Sequence, residues 1–460
     1  MGHKPVFTEP GAIVTLVPPS PKARLNALVL VIGFAVIIII GAVLLRLPIS
    51  GVERSLTWSE AFFTATSATT VTGLGVITTG QDLSLFGQFI VLLLIEVGGI
   101  GFITFSTILF SLIGRRIGIT ERVLLSQTLG VHKTGRIKHL VVRVLVITLS
   151  IQFIGGFLLF LRWAPELGPL DAAYMAIFHA VSAFCNAGFD LYAGTDTILF
   201  GFGRDPYTLV VLMGLIMIGS LGLVAALDII SWFRTRRMML YTKLTLVINA
   251  VILLLGVPLL FIDELFAGTA LRNMAVDERV WVSAFNVVGS RTAGLTIIPM
   301  EDLSQASQLI IMVLMFIGGS PASMAGGVTT STIAVLFVAV LSTVRGRPHA
   351  VVFGRTLPLE TIAKAVSIMT VSTLVCFITT LVLIIGKDGA LFKTGFEVVS
   401  AFSNTGFSLG STGELNWFGR ILIMFTMFWG RLGPLTLVVL LAQREHPTLA
   451  RYPEERIVMG

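Results

Sequence analysis

The sequence predicts an all-α integral membrane protein with eight transmembrane helices and four re-entrant half-helices. These are expected to form four parallel span–half-helix–span repeats around a pseudo-fourfold axis. The chain of 460 residues is 55% hydrophobic and only 12% charged, whereas about 25% of the residues in a soluble domain are charged. A short glycine-ended phrase also recurs four times at long, similar intervals. A long period of this kind indicates an internal repeat.

Eight apolar stretches are long enough to cross a bilayer as helices, which takes about 20 residues. They do not alternate between apolar and polar residues, as the strands of a membrane barrel do, and helices are therefore predicted. The stretches are 25–45, 86–113, 139–161, 208–233, 244–262, 308–341, 366–386 and 419–442.

The repeated phrase ends in a glycine followed by Leu or Phe, at Ser67–Leu74, Ser182–Phe189, Val288–Leu295 and Ser400–Phe407. The segment before each glycine is too short and too polar to cross the membrane. We expect half-helices that enter the membrane and return, at Trp58–Thr70, Asp171–Cys185, Arg279–Arg291 and Phe392–Ser403. Irregular backbone is tolerated at that depth only inside protein or beside a watery cavity. The four loops are therefore expected to share an axial cavity.

The orientation of the repeats follows from their composition. Two spans per repeat give all four the same orientation, which excludes the inverted repeats of many secondary transporters. Basic residues are concentrated in alternate connections, for example in 115–143 and 234–243. This pattern places both termini in the cytoplasm. It also accounts for the net charge of +7 without nucleic-acid binding.

The repeated loops suit the chemistry of a cation filter. Backbone carbonyls from four related loops can replace the hydration shell of a cation. Glycine reaches backbone conformations closed to other residues, and helix C-termini carry partial negative charge. Small residues that pack helices together are the alternative explanation, which four matching copies disfavour. The predicted filter residues are Val71, Thr72, Gly73, Asn186, Ala187, Gly188, Thr292, Ala293, Gly294, Asn404, Thr405 and Gly406.

At these motifs the chain resembles the Trk/Ktr/HKT superfamily of potassium transporters, and most closely the KtrB membrane subunit of bacterial Ktr systems. The motifs are the loops at 70–74, 185–189, 291–295 and 403–407, with flanking matches at 98–101 and 430–436. The resemblance implies that the four glycines select K⁺. Some plant relatives that prefer Na⁺ carry serine at the position of Gly73. The chain lacks the extra N-terminal hairpin of the Trk branch, which favours Ktr.

The resemblance also implies partners and a location. The expected assembly is a homodimer bound to a cytosolic ring of RCK-type nucleotide-binding subunits, with Na⁺ as a modulator. The expected location is the bacterial cytoplasmic membrane. The chain itself has no nucleotide-binding motif, so nucleotide control is expected from another chain. Its two cysteines, Cys185 and Cys376, provide neither a disulfide framework nor a zinc pattern. Because catalytic motifs are absent as well, an enzyme is not expected.

The sixth apolar stretch is interrupted at 318–332 by small residues and Pro321. Their low helix propensity predicts a mobile intramembrane loop rather than a plain kink, and the resemblance implies a gating loop. Arg431 lies inside the eighth stretch, where a charge marks a functional candidate. A pore barrier held by the loop is favoured over a buried ion pair. The predicted gating residues are Gly318, Gly319, Ser320, Pro321, Gly326, Gly327, Thr329 and Arg431.

Several other polar residues in or near apolar segments are interpreted as structural. Asp228 is expected to pair with Arg234, and Glu96 to hydrogen-bond backbone that supports the filter. Arg291 is expected to point away from the axis into the protein. We expect three residues to brace the loops from behind rather than to bind ions, namely His179, Asn286 and Glu397.

The predicted organisation joins four pore repeats through cytoplasmic segments. The amphipathic linker 115–137 is expected either to lie on anionic lipid or to dock a soluble regulator. The order is a tail at 1–24, repeat 1 at 25–114, the linker, repeat 2 at 138–237, repeat 3 with its broken last span at 238–345, a second linker at 346–365, repeat 4 at 366–442 and a tail at 443–460.

The function predicted from these features is channel-like K⁺ uptake driven by the membrane potential. A potential of 100 mV supplies about 2.3 kcal/mol per elementary charge. The alternative is a symporter coupled to Na⁺ or H⁺, which the parallel repeats disfavour.

Overall fold

The computed structural model describes residues 21–101, 137–192, 198–267, 271, 274–321, 323–386 and 391–433. The predicted linker 115–137, apart from Ile137, and the tail 443–460 lie outside these residues. Of the tail predicted at 1–24, residues 21–24 are described, and they begin the first helix.

The described residues are mainly helical. The first half contains α1 (Pro21–Arg46), α2 (Trp58–Thr70), α3 (Thr79–Asp82), α4 (Leu85–Ile100), α5 (Ile137–Leu167), α6 (Pro169–Cys185), α7 (Pro206–Leu221) and α8 (Leu223–Thr235). The second half contains α9 (Leu240–Ala267), α10 (Val276–Gly289), α11 (Gln305–Phe316), α12 (Thr330–Val344), α13 (Leu359–Ile384), α14 (Leu391–Ser403) and α15 (Trp417–Leu432). Short 3₁₀ turns occupy Pro48–Ser50, Ile198–Arg204 and Met300–Asp302.

Four of the described helices are long and apolar enough to cross a membrane, namely the segments Leu28–Arg46, Val142–Leu167, Leu240–Ala267 and Leu359–Ile384. They belong to α1, α5, α9 and α13, the first spans of the predicted repeats. Their outer faces are apolar, and Phe153, Leu254 and Phe377 are all largely exposed. Exposed apolar surface of this extent is unusual in soluble monomers, and it suits contact with lipid.

The four segments predicted as half-helices form helices α2, α6, α10 and α14, and their re-entrant placement in the membrane stays a prediction. The bounds of α2 are those predicted, whereas α10 stops at Gly289 and leaves Arg291 in the following turn. At the start of α2, Thr57 and Glu60 cap each other's backbone N–H groups. The hydrogen bond from Arg54 to Glu60, at 2.8 Å, lowers the pKa of Glu60 to about 2.

The second spans differ from the prediction of continuous apolar helices. The helices α4, α7 and α15 each contain 16 residues and end at Gly101, Gly222 and Gly433, whose φ angles are +88°, +80° and +81°. Since an α-helix needs φ near −63°, these glycines end the helix. At Gly222 the chain turns by 91° into α8. The predicted parts beyond Gly101 and Gly433 lie outside the described residues, and the complete eight-span layout stays a prediction.

The predicted break in the sixth stretch is confirmed. Helix α11 has only 12 residues, and among the described residues that follow it no helix forms again until α12 begins at Thr330. The break therefore covers 317–329, and Thr330–Thr332, which were predicted to lie in the loop, belong to the first turn of α12. We call 317–329 the intramembrane loop. Within the predicted linker 346–365, a two-stranded hairpin (β1, Val351–Val352; β2, Arg355–Thr356) forms, which was not predicted.

A second set of glycines lies one turn before the three helix ends. A Cβ atom on Gly98, Gly219 or Gly430 would lie 2.0, 1.9 or 1.8 Å from a carbonyl oxygen in the last turn of a half-helix, that of Thr69, Phe184 or Phe402. Each of these second spans therefore lies directly against the backbone of its half-helix. Any side chain at these positions would force the two elements apart.

This contact predicts that Gly219→Ala lowers the stability of the protein by about 2 kcal/mol, the usual scale of overpacking. The measurement is the apparent melting temperature of the purified protein in detergent. Gly214→Ala is the matched control, since Gly214 lies in the same helix and has open space around the added methyl group. An equal fall for both variants would contradict the close contact.

Candidate functional site

The four repeated glycines lie against one another in a closed ring. We define glycine loops 1 to 4 as residues 71–74, 186–189, 292–295 and 404–407. A Cβ atom added to the glycine of each loop would lie 2.6, 2.9, 1.9 and 2.2 Å, in chain order, from a carbonyl oxygen of the next loop, that of Ala187, Ala293, Thr405 and Thr72. Loop 4 thus closes on loop 1, and the twelve predicted filter residues all lie in this ring.

The four loops share one backbone conformation. In each loop the glycine has positive φ, between +63° and +96°, and so does the residue two positions before it. Those preceding residues are Val71, Asn186, Thr292 and Asn404, with φ of +58°, +58°, +68° and +55°. Non-glycine residues at positive φ are uncommon, above all β-branched ones. Their presence at the same place in all four loops indicates that the surrounding structure imposes this shape.

Two buried side chains contact the segments that follow loops 2 and 4, His179 through side chains and Glu397 through backbone N–H groups. They occupy matching positions on α6 and α14. His179 Nε2 lies 2.9 Å from Asp190 Oδ1, and its ring stacks on Tyr192. Glu397 accepts hydrogen bonds from the backbone N–H groups of Leu409 and Ser411, at 3.0 and 3.2 Å. These are the contacts expected of braces.

Asn286 is the third residue predicted to be a brace, and the structure gives it no such contact. Its side chain is fully buried in α10, and its amide has no hydrogen-bond partner among the described residues. A brace at Asn286 is therefore not supported.

The intramembrane loop is held by hydrogen bonds to backbone and side-chain groups of neighbouring helices. The N–H groups of Ser320 and Met324 donate to the carbonyls of Ser220 and Gly219 at the end of α7, at 3.0 and 3.3 Å. The Tyr241 hydroxyl of α9 donates to the carbonyl of Pro321 at 2.8 Å. The role of Tyr241 was not predicted, because a single tyrosine at the start of an apolar stretch carries no signal of its partner.

The same loop reaches the glycine ring from one side. A Cβ atom on Gly326 would lie 2.1 Å from Asn404 Oδ1, and one on Gly327 would lie 3.0 Å from Ser403 Cα. Glycines at both positions therefore let the intramembrane loop pack against the backbone that leads into loop 4.

Arg431 joins three elements through its guanidinium group. It donates to the carbonyl of Met324 in the intramembrane loop and to those of Gly98 and Gly99 at the end of α4. Among the described residues no carboxylate pairs with Arg431, so the alternative of a buried ion pair finds no support there. The expected contact with the loop is present.

Three interpretations of single polar residues can be compared with the structure. Arg291 is buried and donates to the carbonyl of Ile317 at 2.7 Å, as expected for a side chain directed into the protein. Glu96 bonds side chains rather than backbone, since it accepts from Gln152 at 2.9 Å. Asp228 accepts from the N–H of Met239 at 2.9 Å, and no ion pair with Arg234 is found among the described residues. The expected contacts of Glu96 and Asp228 are therefore wrong.

The comparison with known proteins agrees with this geometry. Residues 20–452 match the TrkH family, described as cation transport protein. The chain belongs to this family. The match covers the segments predicted as the four repeats and the glycine ring, and the family together with the long apolar helices makes this a multi-pass membrane protein.

Individual relatives are transport proteins rather than enzymes. The chain is 35% identical to Ktr system potassium uptake protein B of Bacillus subtilis (strain 168), over 94% of this chain and 96% of that protein. It is 33% identical to potassium/sodium uptake protein NtpJ of Enterococcus hirae, over 97% of this chain and 100% of that protein. The resemblance to the Trk/Ktr superfamily, and to KtrB within it, is confirmed.

A solved structure shows the same fold. The crystal structure of the potassium transporter TrkH from Vibrio parahaemolyticus matches with a TM-score of 0.74 and 21% sequence identity, over 92% of this chain and 86% of that one. Since so little sequence is shared, this likeness concerns the fold alone.

The brace at Glu397 leads to a prediction about stability. In Glu397→Gln, a carboxylate oxygen that accepts hydrogen bonds is replaced by an amide NH₂ group. This group is itself a donor and cannot accept those bonds. The loss of charged hydrogen bonds is expected to lower stability by about 2 kcal/mol, measured as the melting temperature in detergent. Glu301→Gln, an exposed change on a neighbouring connection, should leave it unchanged. Similar melting temperatures for the two variants would argue against the brace.

Proposed function

We propose that the protein mediates channel-like uptake of K⁺ across the cytoplasmic membrane, driven by the membrane potential. The observation that carries this proposal is the closed ring of four glycine loops. The names of the relatives, a potassium uptake protein and a potassium/sodium uptake protein, support K⁺ as the ion. The family motif implies that a glycine at position 73 favours K⁺ over Na⁺.

The ring supplies what a dehydrated monovalent cation needs. Backbone with alternating signs of φ turns successive carbonyl groups toward the same side of the chain, and four such loops can surround an ion with oxygen ligands. The half-helices α2, α6, α10 and α14 end at the ring, so the partial negative charge of their C-termini favours a cation there. The ligands in this proposal are the backbone carbonyls of the twelve loop residues.

The intramembrane loop and Arg431 form the proposed gate. The loop packs beside the ring and is held by hydrogen bonds to a few neighbours, a number small enough for it to be released. Arg431 contributes a positive charge that opposes cation passage while it is bound to Met324. Movement of the loop would clear the loop itself from the path and release Arg431 from Met324, with Gly318, Gly319, Gly326 and Gly327 as flexible points.

The protein is also proposed to form the assembly that its family resemblance implies. A homodimer embedded in the lipid bilayer, with a cytosolic RCK-type ring that binds the nucleotide and with Na⁺ as a modulator, is the expected complex. A symporter coupled to Na⁺ or H⁺ remains the rival. It differs in requiring a second ion for flux.

Flux measurements on the purified protein in liposomes decide between these functions. With an imposed K⁺ gradient, and no Na⁺ or pH gradient, ⁸⁶Rb⁺ should accumulate down the electrical gradient. Empty liposomes are the control. Uptake that appears only after a Na⁺ or H⁺ gradient is added would reject the channel-like mechanism in favour of the symporter.

The filter assignment predicts that Gly73→Ser weakens discrimination between K⁺ and Na⁺. Gly73 has φ of +84°, and an added Cβ would lie 2.6 Å from the carbonyl oxygen of Ala187, so loops 1 and 2 must separate. We expect the Rb⁺/Na⁺ permeability ratio to fall about tenfold, equivalent to about 1.4 kcal/mol. Gly413→Ser, in open space on an external connection, is the control. A ratio unchanged by Gly73→Ser would count against the assignment.

The gate assignment predicts that Arg431→Gln raises the initial rate of ⁸⁶Rb⁺ uptake. This change removes the positive charge and shortens the reach to Met324, Gly98 and Gly99. Arg420→Gln is the matched control, since Arg420 lies on the same helix but bonds Leu415 and Ser59 at its other end. A slower or unchanged rate for Arg431→Gln in folded protein would exclude a blocking role.

A further inference from the structure

Two asparagines connect neighbouring glycine loops through their side chains. Asn404 Nδ2 in loop 4 donates to Thr72 Oγ1 in loop 1 at 2.8 Å and to the carbonyl of Met427 at 2.9 Å. Asn186 in loop 2 reaches the third repeat in the same way. Its Nδ2 donates to the carbonyl of Arg291 at 3.3 Å and to Thr292 Oγ1 at 3.4 Å.

These bonds divide the ring into two pairs of loops. Loop 2 is tied to loop 3, and loop 4 is tied to loop 1. Among the described residues no side-chain hydrogen bond joins loop 1 to loop 2 or loop 3 to loop 4. The connection therefore repeats twice around the axis although the backbone repeats four times.

Backbone conformation alone does not explain the asparagines. Asparagine tolerates the left-handed region and is common at the ends of helices. Yet Val71 and Thr292 adopt the same positive φ at the matching positions of loops 1 and 3. An amide is not needed for this turn, so its presence in loops 2 and 4 requires another reason. The bond to the next loop provides one.

We propose that Asn186 and Asn404 are positioning residues that set ion selectivity by fixing the separation of adjacent glycine loops. This inference rests on the proposed function. Discrimination between K⁺ and Na⁺ depends on the size of the carbonyl cage, or on the number and field of the carbonyls in it. Both properties change if two loops can shift relative to each other. Since both side chains are buried, water does not compete for these bonds, which strengthens them.

The surroundings of the two amides indicate which of them contributes more to ion selectivity. The Asn404 bonds are the shorter, and they connect three elements, loop 4, loop 1 and α15. Its Oδ1 also lies against Gly430 and Gly326, so the side chain has little room to change rotamer. The Asn186 bonds are longer, and its Oδ1 faces Gly219. Loss of Asn404 should therefore affect selectivity more than loss of Asn186.

The experiment measures the ⁸⁶Rb⁺/Na⁺ uptake ratio of the full-length protein in liposomes. Asn404→Ala should reduce the ratio about fivefold, the factor that corresponds to one neutral hydrogen bond. Asn186→Ala should reduce it by a smaller factor, and the double variant by more than either. The control is Asn249→Ala, the same change at a buried amide whose one hydrogen bond to a described residue goes to the Thr245 carbonyl of its own helix. It should keep the wild-type ratio.

A second pair of variants tests the bond from the other side of the ring. Thr72→Val removes the hydroxyl that accepts from Asn404, and it also removes a hydroxyl contact with Thr70 at 2.7 Å. Thr70→Val removes that same contact but leaves the Asn404 bond in place. We expect the ratio to fall further for Thr72→Val than for Thr70→Val. This comparison holds even if an asparagine variant does not fold.

Different outcomes test the proposed function and the positioning role of the two asparagines separately. A wild type that does not prefer Rb⁺ to Na⁺ rejects the proposed function and, with it, the selectivity role. If a selective wild type and its Asn404→Ala and Asn186→Ala variants share one ratio, the positioning role alone is overturned. Equal losses for Asn249→Ala and Asn404→Ala, or for Thr70→Val and Thr72→Val, also overturn it, because they would reflect general loosening of the protein.

Discussion

The close approach of four backbones at the glycine loops is the contact on which the rest of the structure depends. Each loop lies where a Cβ on the previous glycine would need space, so the ring closes only with glycine at all four positions. The same demand recurs behind the ring, where Gly98, Gly219 and Gly430 let three second spans touch the half-helices. Irregular backbone at membrane depth must be enclosed by protein. The glycines of both sets allow backbone to lie directly against backbone and so contribute to that enclosure.

The backbone follows the fourfold pattern more closely than the side chains do. Loops 2 and 4 share a brace from the half-helix and an asparagine that bonds the next loop, whereas the described residues provide neither for loops 1 and 3. The third repeat departs furthest, since α11 is the shortest second span and Arg291 occupies the position held by Thr70, Cys185 or Ser403 in the other repeats. Its guanidinium bonds the carbonyl at the start of the intramembrane loop. The third repeat thus has an interrupted second span, with the intramembrane loop between α11 and α12.

Much of this arrangement could be predicted from local sequence. The bounds of α2, the four loops and the break in the sixth stretch follow from polarity, glycine and proline, which act over a few residues. The ends of α4, α7 and α15 were missed because hydropathy continues beyond Gly101, Gly222 and Gly433, and a single glycine in an apolar run is weak information. The partners of Glu96, Asp228 and Tyr241 depend on packing between distant segments. Hydrogen-bond partners of that kind have no signature in a single sequence.

The buried charge of Arg431 is hydrogen-bonded to backbone carbonyls of two elements, the intramembrane loop and α4. The guanidinium faces carbonyls at the C-terminal end of α4, where the helix dipole favours a cation, and it needs no carboxylate there. Its bond to Met324 can then break while the bonds to Gly98 and Gly99 persist. The cost of releasing the loop is limited to a few hydrogen bonds, the scale that allows two states of a protein to be populated together. The remaining hydrogen-bond anchors of the loop lie on α7, on α9 and on the Arg291 side chain next to loop 3, and none of them is a bond between two glycine loops. On the proposed function, the gate can therefore open while the hydrogen bonds between the filter loops stay intact.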